Sequence, residues 1–121
     1  MKIAIGCDPN AENEKQALMK FIENKGLGKV TDFGSTDPIY ANVAIKVGEA
    51  VASKEYDRGI LLCGTGLGVS IAANKVKGAY AALLTDAYSA ERARLSMMQI
   101  LRVWEHLRQE ARNENFLRRF F

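Results

Sequence analysis

Residues 60–75 read "ILLCGTGLGVSIAANK". The run "RGILLC", residues 58–63, is apolar at successive positions, as a strand buried on both faces of a parallel sheet requires. Gly64, Gly66 and Gly68 then strip the turn of side chains. The chain resumes as a helix through "GVSIAANK", whose Ala72 and Ala73 permit close packing on a sheet. A buried strand, a glycine turn and a helix make one crossover of an α/β fold.

The same alternation extends in both directions. Upstream, "KIAIG" at residues 2–6 predicts a strand, and "PNAENEKQALMKFIENKG" predicts a helix. In that helix Asn10 is the expected N-cap, Ala17, Leu18, Phe21 and Ile22 share a face, and Gly26 is the stop. "GKVTDFGS" predicts a second strand. Asp37-Pro38 follows as N-cap and first helical position, ahead of Tyr40, Val43, Ala44, Val47 and Val51 at helical spacing. Downstream, "GAYAALLTD" predicts a fourth strand and "DAYSAERARLS" a fourth helix, capped by Thr85 or Asp86. This β-α-β-α-β-α-β-α order, with short connections, predicts one α/β domain over 1–121 with a parallel sheet and helices on both faces.

Composition narrows the function. The 121 residues are 48% hydrophobic and 26% charged, ordinary for a soluble globular protein. The net charge of +3 is too small to imply nucleic acid or an anionic membrane. No apolar run reaches membrane-spanning length, and "MKIAIGCD" is too short in its apolar part for a signal peptide. The two cysteines, Cys7 and Cys63, are too far apart for a Cys-x-x-Cys pair, and the expected setting is cytoplasmic, with free thiols. With His106 as the one histidine, a zinc site is not expected.

If the second strand lies outside the first and the third lies on its other side, the chain reverses direction between strands 1 and 3. Ligands of open α/β sheets bind at that point, beyond the carboxyl ends of the strands. Asp8, from "GCD", and Cys63, from "CGTG", then face one crevice. The glycine turn there exposes backbone N–H groups at a helix N-terminus, suited to an oxyanion and favourable to a thiolate. Thr65 adds a hydroxyl. These groups suit proton abstraction beside a carbonyl, or acyl transfer, although the second reaction wants a histidine next to the thiol. Plain structural roles stand beside these: Cys63 as a core hydrophobe, Cys7 as packing, Asp8 as a turn or cap residue.

The segments "IAIGCD", "DFGS", "GEAVASKEYDRGILLCGTGLGVSIAANKVKGAYAAL" and "YSAERARLS" together resemble the type B ribose-5-phosphate isomerases and galactose-6-phosphate isomerase subunits. The resemblance covers residues 1–96. It implies a Rossmann-like three-layer α/β/α sandwich with a sheet of four to five strands, and a homodimer or homotetramer. It also implies isomerisation of a phosphorylated sugar without metal or other cofactor, and no nucleic-acid or membrane partner. By position, Cys63 matches the proton-abstracting cysteine and Asp8 a sugar-contacting residue. Gly64, Thr65, Gly66, Leu67 and Gly68 match the loop that binds the enediolate, and Thr65 is the hydroxyl matched to ring opening. A sugar-phosphate-binding protein of the same fold with impaired catalysis is the alternative.

The departures are specific. Pro9 stands where the family commonly has histidine, and "DPIYA" shortens its "DYPHYA" segment, so ribose 5-phosphate is not the expected preferred sugar. After Ser96 the likeness stops, and the fifth strand and late arginines of the family are not recognisable. Leu101, Trp104, Leu107 and Ala111 fall on one helical stripe, read as a packed terminal helix, and nothing aligns Arg112, Arg118 and Arg119 with a phosphate site. Met and Trp have single codons, so a reading frame one base earlier is partly legible. Across residues 97–106 it yields "Asp-Ala-Asn-x-x-x-Met-Gly-Ala" in its compatible choices, which resembles the family's fifth strand and turn. A frame shift at Ser96 is therefore expected, leaving 97–121 as a divergent tail on a domain short of one strand, with "QILRV" holding at most a sheet edge.

Overall fold

A computed structural model describes residues 1–34, 36–96 and 100–105, the last as backbone. Five strands alternate with four helices: β1 (Lys2–Cys7), α1 (Glu12–Asn24), β2 (Lys29–Asp32), α2 (Tyr40–Ala52), β3 (Arg58–Cys63), α3 (Leu67–Asn74), β4 (Tyr80–Leu84), α4 (Ala87–Ser96) and β5 (Ile100–Glu105). A single 3₁₀ turn, Pro9–Ala11, stands between β1 and α1. The sheet is parallel throughout, in the order β2-β1-β3-β5-β4. The chain therefore does reverse direction between β1 and β3, the condition under which the sequence reading places Asp8 and Cys63 together.

Alternation along the strands sorts the core into two layers. Ile3, Ile5, Cys7, Ile60 and Leu62 face one side, with Leu18 and Ile22 of α1 and Ala90 of α4. Ala4, Leu61 and Cys63 face the other, with Val43, Val47 and Val51 of α2 and Val69 and Ala73 of α3. This is the expected three-layer sandwich. Gly6 lets α2 lie close on β1, since a Cβ there would stand 2.6 Å from Val43 Cγ2 and 3.3 Å from Val47 Cγ2. Asn74 locks α3 to the sheet: its side chain accepts from the Ala81 N–H and donates to the Ala81 carbonyl, both at 2.9 Å.

Helix starts differ from the sequence reading by one residue at α1 and two at α2, and agree at α4. Asn10 is not the cap of α1; Asp8 accepts from the Asn10 N–H at 2.9 Å and caps the 3₁₀ turn instead. Asp37 accepts from the Ile39 N–H at 2.8 Å and from the Asn42 side chain at 2.9 Å, so α2 starts beyond Pro38. The Asn42 amide and the Ile39 N–H together hold the Asp37 carboxyl below its usual range. Asp86 caps α4 through the Ser89 N–H at 2.7 Å. Ala17, read onto the apolar face of α1, is exposed.

The largest correction concerns the tail. Leu101 and Trp104 belong to a strand, not a helix, and β5 lies inside the sheet, pairing Gly59–Cys63 on one side and Tyr80–Leu84 on the other. The fifth strand is present, and it is no edge. A short apolar run spaced i, i+3 fits strand and helix alike. Ile100, Val103 and Trp104 are types that favour strands. The facing edges of β3 and β4 each carry backbone donors and acceptors that one parallel strand satisfies. Met97, Met98, His106, Leu107, Ala111, Arg112, Arg118 and Arg119 lie outside the described residues.

Candidate active site

The ends of β1 and β3 meet where the sheet order reverses. Asp8 sits one residue beyond β1, in extended conformation, and is 9% exposed. Its N–H donates to the Leu62 carbonyl at 3.1 Å, which carries the β1–β3 ladder one step past the strand. One carboxylate oxygen is occupied by the Asn10 N–H. The other accepts from the Gly64 N–H at 3.4 Å, across the crevice. The capping role read from sequence holds for Asp8 through one oxygen, and the other oxygen joins it to the glycine turn after β3.

Cys63 is the last residue of β3, 9% exposed, on the α2–α3 side of the sheet. Cys7 is fully buried on the opposite, α1 side. The two thiols are free and separated by the sheet itself. Burial pushes the Cys7 thiol up to about 12, with Lys15 pulling back only in part. Cys7 is thus a packing residue, as one reading of the sequence had it.

The glycine turn is built as the sequence requires. Gly66 is buried and holds φ +78°, a left-handed conformation that side-chain-bearing residues seldom adopt, and it is the N-cap of α3. Thr65 is exposed, and its hydroxyl accepts from the Leu67 N–H at 3.3 Å, so it keeps its own proton to give. Leu67 itself points outward, leaving only its backbone as a polar contributor. A Cβ on Gly68 would stand 2.6 Å from the Cζ of Tyr40. The ring of Tyr40, the first residue of α2, therefore walls this turn, and the shortened "DPIYA" segment sets where it stands.

The structure also shows a residue that sequence reading missed. Lys15 is 1% exposed, and its ammonium lies 2.8 Å from both Glu12 Oε2 and Asp32 Oδ1. Gln16 closes the cluster, donating to Glu12 at 2.8 Å and to Asp32 at 3.3 Å. Burial alone would lower the Lys15 pKa, but the hydrogen bonds to Asp32 and Glu12 outweigh it and hold the group above its ordinary value. The signal was available: Ala11, Lys15, Leu18 and Ile22 form the buried stripe of this helix, with a lysine where an apolar residue is expected.

Among the described residues no cluster of His, Cys, Asp or Glu is placed to hold a metal ion, and no helix is long and apolar enough to cross a membrane. A groove of about 360 Å³ along α2, lined by Phe33, Lys46, Glu49, Ala50, Ser53 and Glu55, contains none of the predicted site residues. What the carboxyl ends of β1 and β3 offer chemically is a carboxylate joined to the Gly64 N–H, a thiol one residue before that glycine and a hydroxyl one residue after it. The carboxylate accepts hydrogen bonds from hydroxyl groups, and the N–H groups receive an oxyanion.

Residues 3–121 match the model of the Ribose/Galactose Isomerase family, and the chain belongs to that family. It is 50% identical to the "Ribose-5-P isomerase B" of Listeria innocua over 99 residues, 79% of this chain and 66% of that protein. It is 45% identical to the "D-erythrulose-4-phosphate isomerase" of Pectobacterium atrosepticum over 100 residues, 79% of this chain and 65% of that protein. The chain thus spans slightly less than two thirds of these relatives. The solved ribose-5-phosphate isomerase B of Clostridium thermocellum superposes with a TM-score of 0.86 at 40% identity, covering 99% of this chain and 83% of that one.

Proposed function

We propose that this member of the ribose/galactose isomerase family interconverts the aldose and ketose forms of a phosphorylated sugar, with Cys63 as the base. The observation that carries the reading is the meeting of Asp8 with Gly64, one residue past Cys63, at the switch point of the sheet. The Cys63 thiolate takes the proton from the hydroxyl-bearing carbon next to the carbonyl. The electron pair left behind makes an enediolate, whose oxygen the N–H groups of residues 64–68 receive. The thiol then returns the proton to the neighbouring carbon while the hydroxyl proton passes to the former carbonyl oxygen, so nothing is oxidised or reduced overall. Thr65 assists ring opening by proton exchange with the ring oxygen, and Asp8 accepts hydrogen bonds from sugar hydroxyls.

The preferred sugar is not ribose 5-phosphate. Pro9 and the Tyr40 wall support this, and the relatives carry names for both a five-carbon and a four-carbon substrate. A homodimer is supported by Ile39, Tyr40, Leu67 and Ile71, which stand exposed at the N-terminal parts of α2 and α3, two helices packed together.

The test is turnover of four-, five- and six-carbon sugar phosphates in deuterated water. Solvent deuterium enters the carbon next to the carbonyl, and Cys63→Ala lowers that exchange by about 10²–10⁴-fold with the fold intact. Binding without exchange by the wild-type protein would replace the enzyme reading with that of a sugar-phosphate-binding protein. Wild-type exchange in Cys63→Ala would remove the base assignment.

A further inference from the structure

Lys15 lies behind the crevice rather than in it, yet two chains of contacts run from its ammonium to Asp8. The first passes through β2. Asp32 Oδ1 accepts from Lys15 at 2.8 Å and also from the Gly34 N–H at 2.7 Å. The Gly34 carbonyl in turn accepts from the Cys7 N–H at 3.3 Å, and Cys7 is joined directly to Asp8. The second passes through α1. Glu12, at its first position, takes the same ammonium at 2.8 Å, and the 3₁₀ turn that Asp8 caps ends at Ala11, immediately before it. The segment from Cys7 to Glu12 is therefore held at both ends by one buried cation.

We propose that Lys15 is a positioning residue: it fixes the segment Cys7–Glu12 so that the Asp8 carboxylate meets the Gly64 N–H at the mouth of the crevice. The proposal rests on the reading of Asp8 given above for its catalytic consequence, but not for its structural one. A lysine serving stability alone has no need to engage both sides of this segment. A hydrophobic residue of similar length on the same stripe stabilises as well or better, because a buried ion pair offsets its own desolvation only in part.

The experiment uses the full chain with Lys15→Met, which keeps the length and packing of the side chain and removes the charge. The main readout is the backbone amide resonance of Gly64, which needs no turnover. The resonances of Gly64, Asn10 and Gly34 are expected to shift, while those of β4 and α3 beyond Ser70 stay in place. With the best substrate of the panel, kcat falls by about 10²-fold, the scale of loss from slight misplacement of reacting groups. KM rises as well, since Asp8 holds hydroxyls of the bound sugar before and during the reaction. A folded Lys15→Met protein with Gly64 unmoved overturns the proposal. If Lys15→Met does not fold, Asp32→Asn keeps an acceptor for the Gly34 N–H and weakens the grip on Lys15. A shift at Gly64 in that variant upholds the positioning role, and no shift overturns it. A wild-type protein that turns over no sugar phosphate removes the function reading alone, since the Gly64 resonance still decides the role of Lys15.

Discussion

The two cysteines offer a chemical contrast that can be read without knowing the substrate. Alkylation by iodoacetamide proceeds through the thiolate, so its rate follows the ionised fraction and the access of each sulfur. At about pH 8 a thiol of ordinary pKa, near 9, is about one tenth ionised. Cys7, raised to about 12 by burial, is ionised at about one part in 10⁴ at that pH, roughly a thousandfold less. It also has no exposed surface, whereas Cys63 keeps some at the crevice. The native protein is expected to lose Cys63 to the reagent well before Cys7, whose thiol is both buried and raised to about 12, followed by peptide mass spectrometry, and to label both equally in urea. The same shift has a thermodynamic side. Above about pH 9 the unfolded Cys7 gives up a proton that the folded thiol retains, so stability falls as pH rises from about 9 towards 12. Lys15, held above 10.5, adds to that fall only beyond its own ordinary pKa. Cys7→Ala flattens the lower part of the decline. Equal native labelling of the two thiols would refute the assignment of one to packing and the other to chemistry.

Three further outcomes are expected. Gly6→Ala drives a methyl to 2.6 Å from Val43 Cγ2, an overpacking that costs about 1–3 kcal/mol against a gain of roughly 0.5–1 from leaving glycine. The melting temperature therefore drops by several degrees and recovers in part with Val43→Ala; an unchanged or higher Tm would contradict the close approach of α2. Gly68→Ala displaces the half-exposed Tyr40 ring rather than the helix, so stability changes by less than about 1 kcal/mol. Its kcat/KM ratio between four- and six-carbon sugar phosphates changes all the same, and an unaltered ratio would sink the role of Tyr40 as a wall. Finally, we propose that the coding DNA carries the shifted frame after Ser96. A coding sequence without "Asp-Ala-Asn-x-x-x-Met-Gly-Ala" in that frame would end the idea.

What could be read beforehand was whatever depends on short-range pattern. The six residues of β3 match the strand read from "RGILLC" at both ends, because the apolar run Ile60–Cys63, led in by Arg58 and Gly59 and ended by Gly64, has one way to be buried. Alternation announced a parallel sheet but not its strand order; the reversal between β1 and β3, which brings Asp8 to the Gly64 N–H, entered the reading as a condition that the structure meets. Helix starts were misplaced where Asp8 and Asp37 spend their carboxylates on a turn preceding the helix, a choice set by Pro9 and Pro38. Lys15 was missed because its partners, Glu12 and Asp32, sit on different elements, and charge is read as solvated until the tertiary structure supplies a partner. The strand at residues 100–105 was missed because its pairing demand comes from β3 and β4, not from its own sequence.

That last strand has a consequence for how the protein is made. β5 is the final described element in the chain, yet it lies fourth across the sheet, with β3 and β4 on its flanks. During synthesis β1 to β4 leave the ribosome before this strand does. For that interval β3 and β4 each present an unpaired edge, and the β3 edge is among the most apolar stretches of the protein. The sheet is completed only when residues 100–105 thread into a gap between two strands already made, a late, non-local closure of the slow kind. Nascent chains stalled short of residue 100 therefore hold two open templates for pairing with each other.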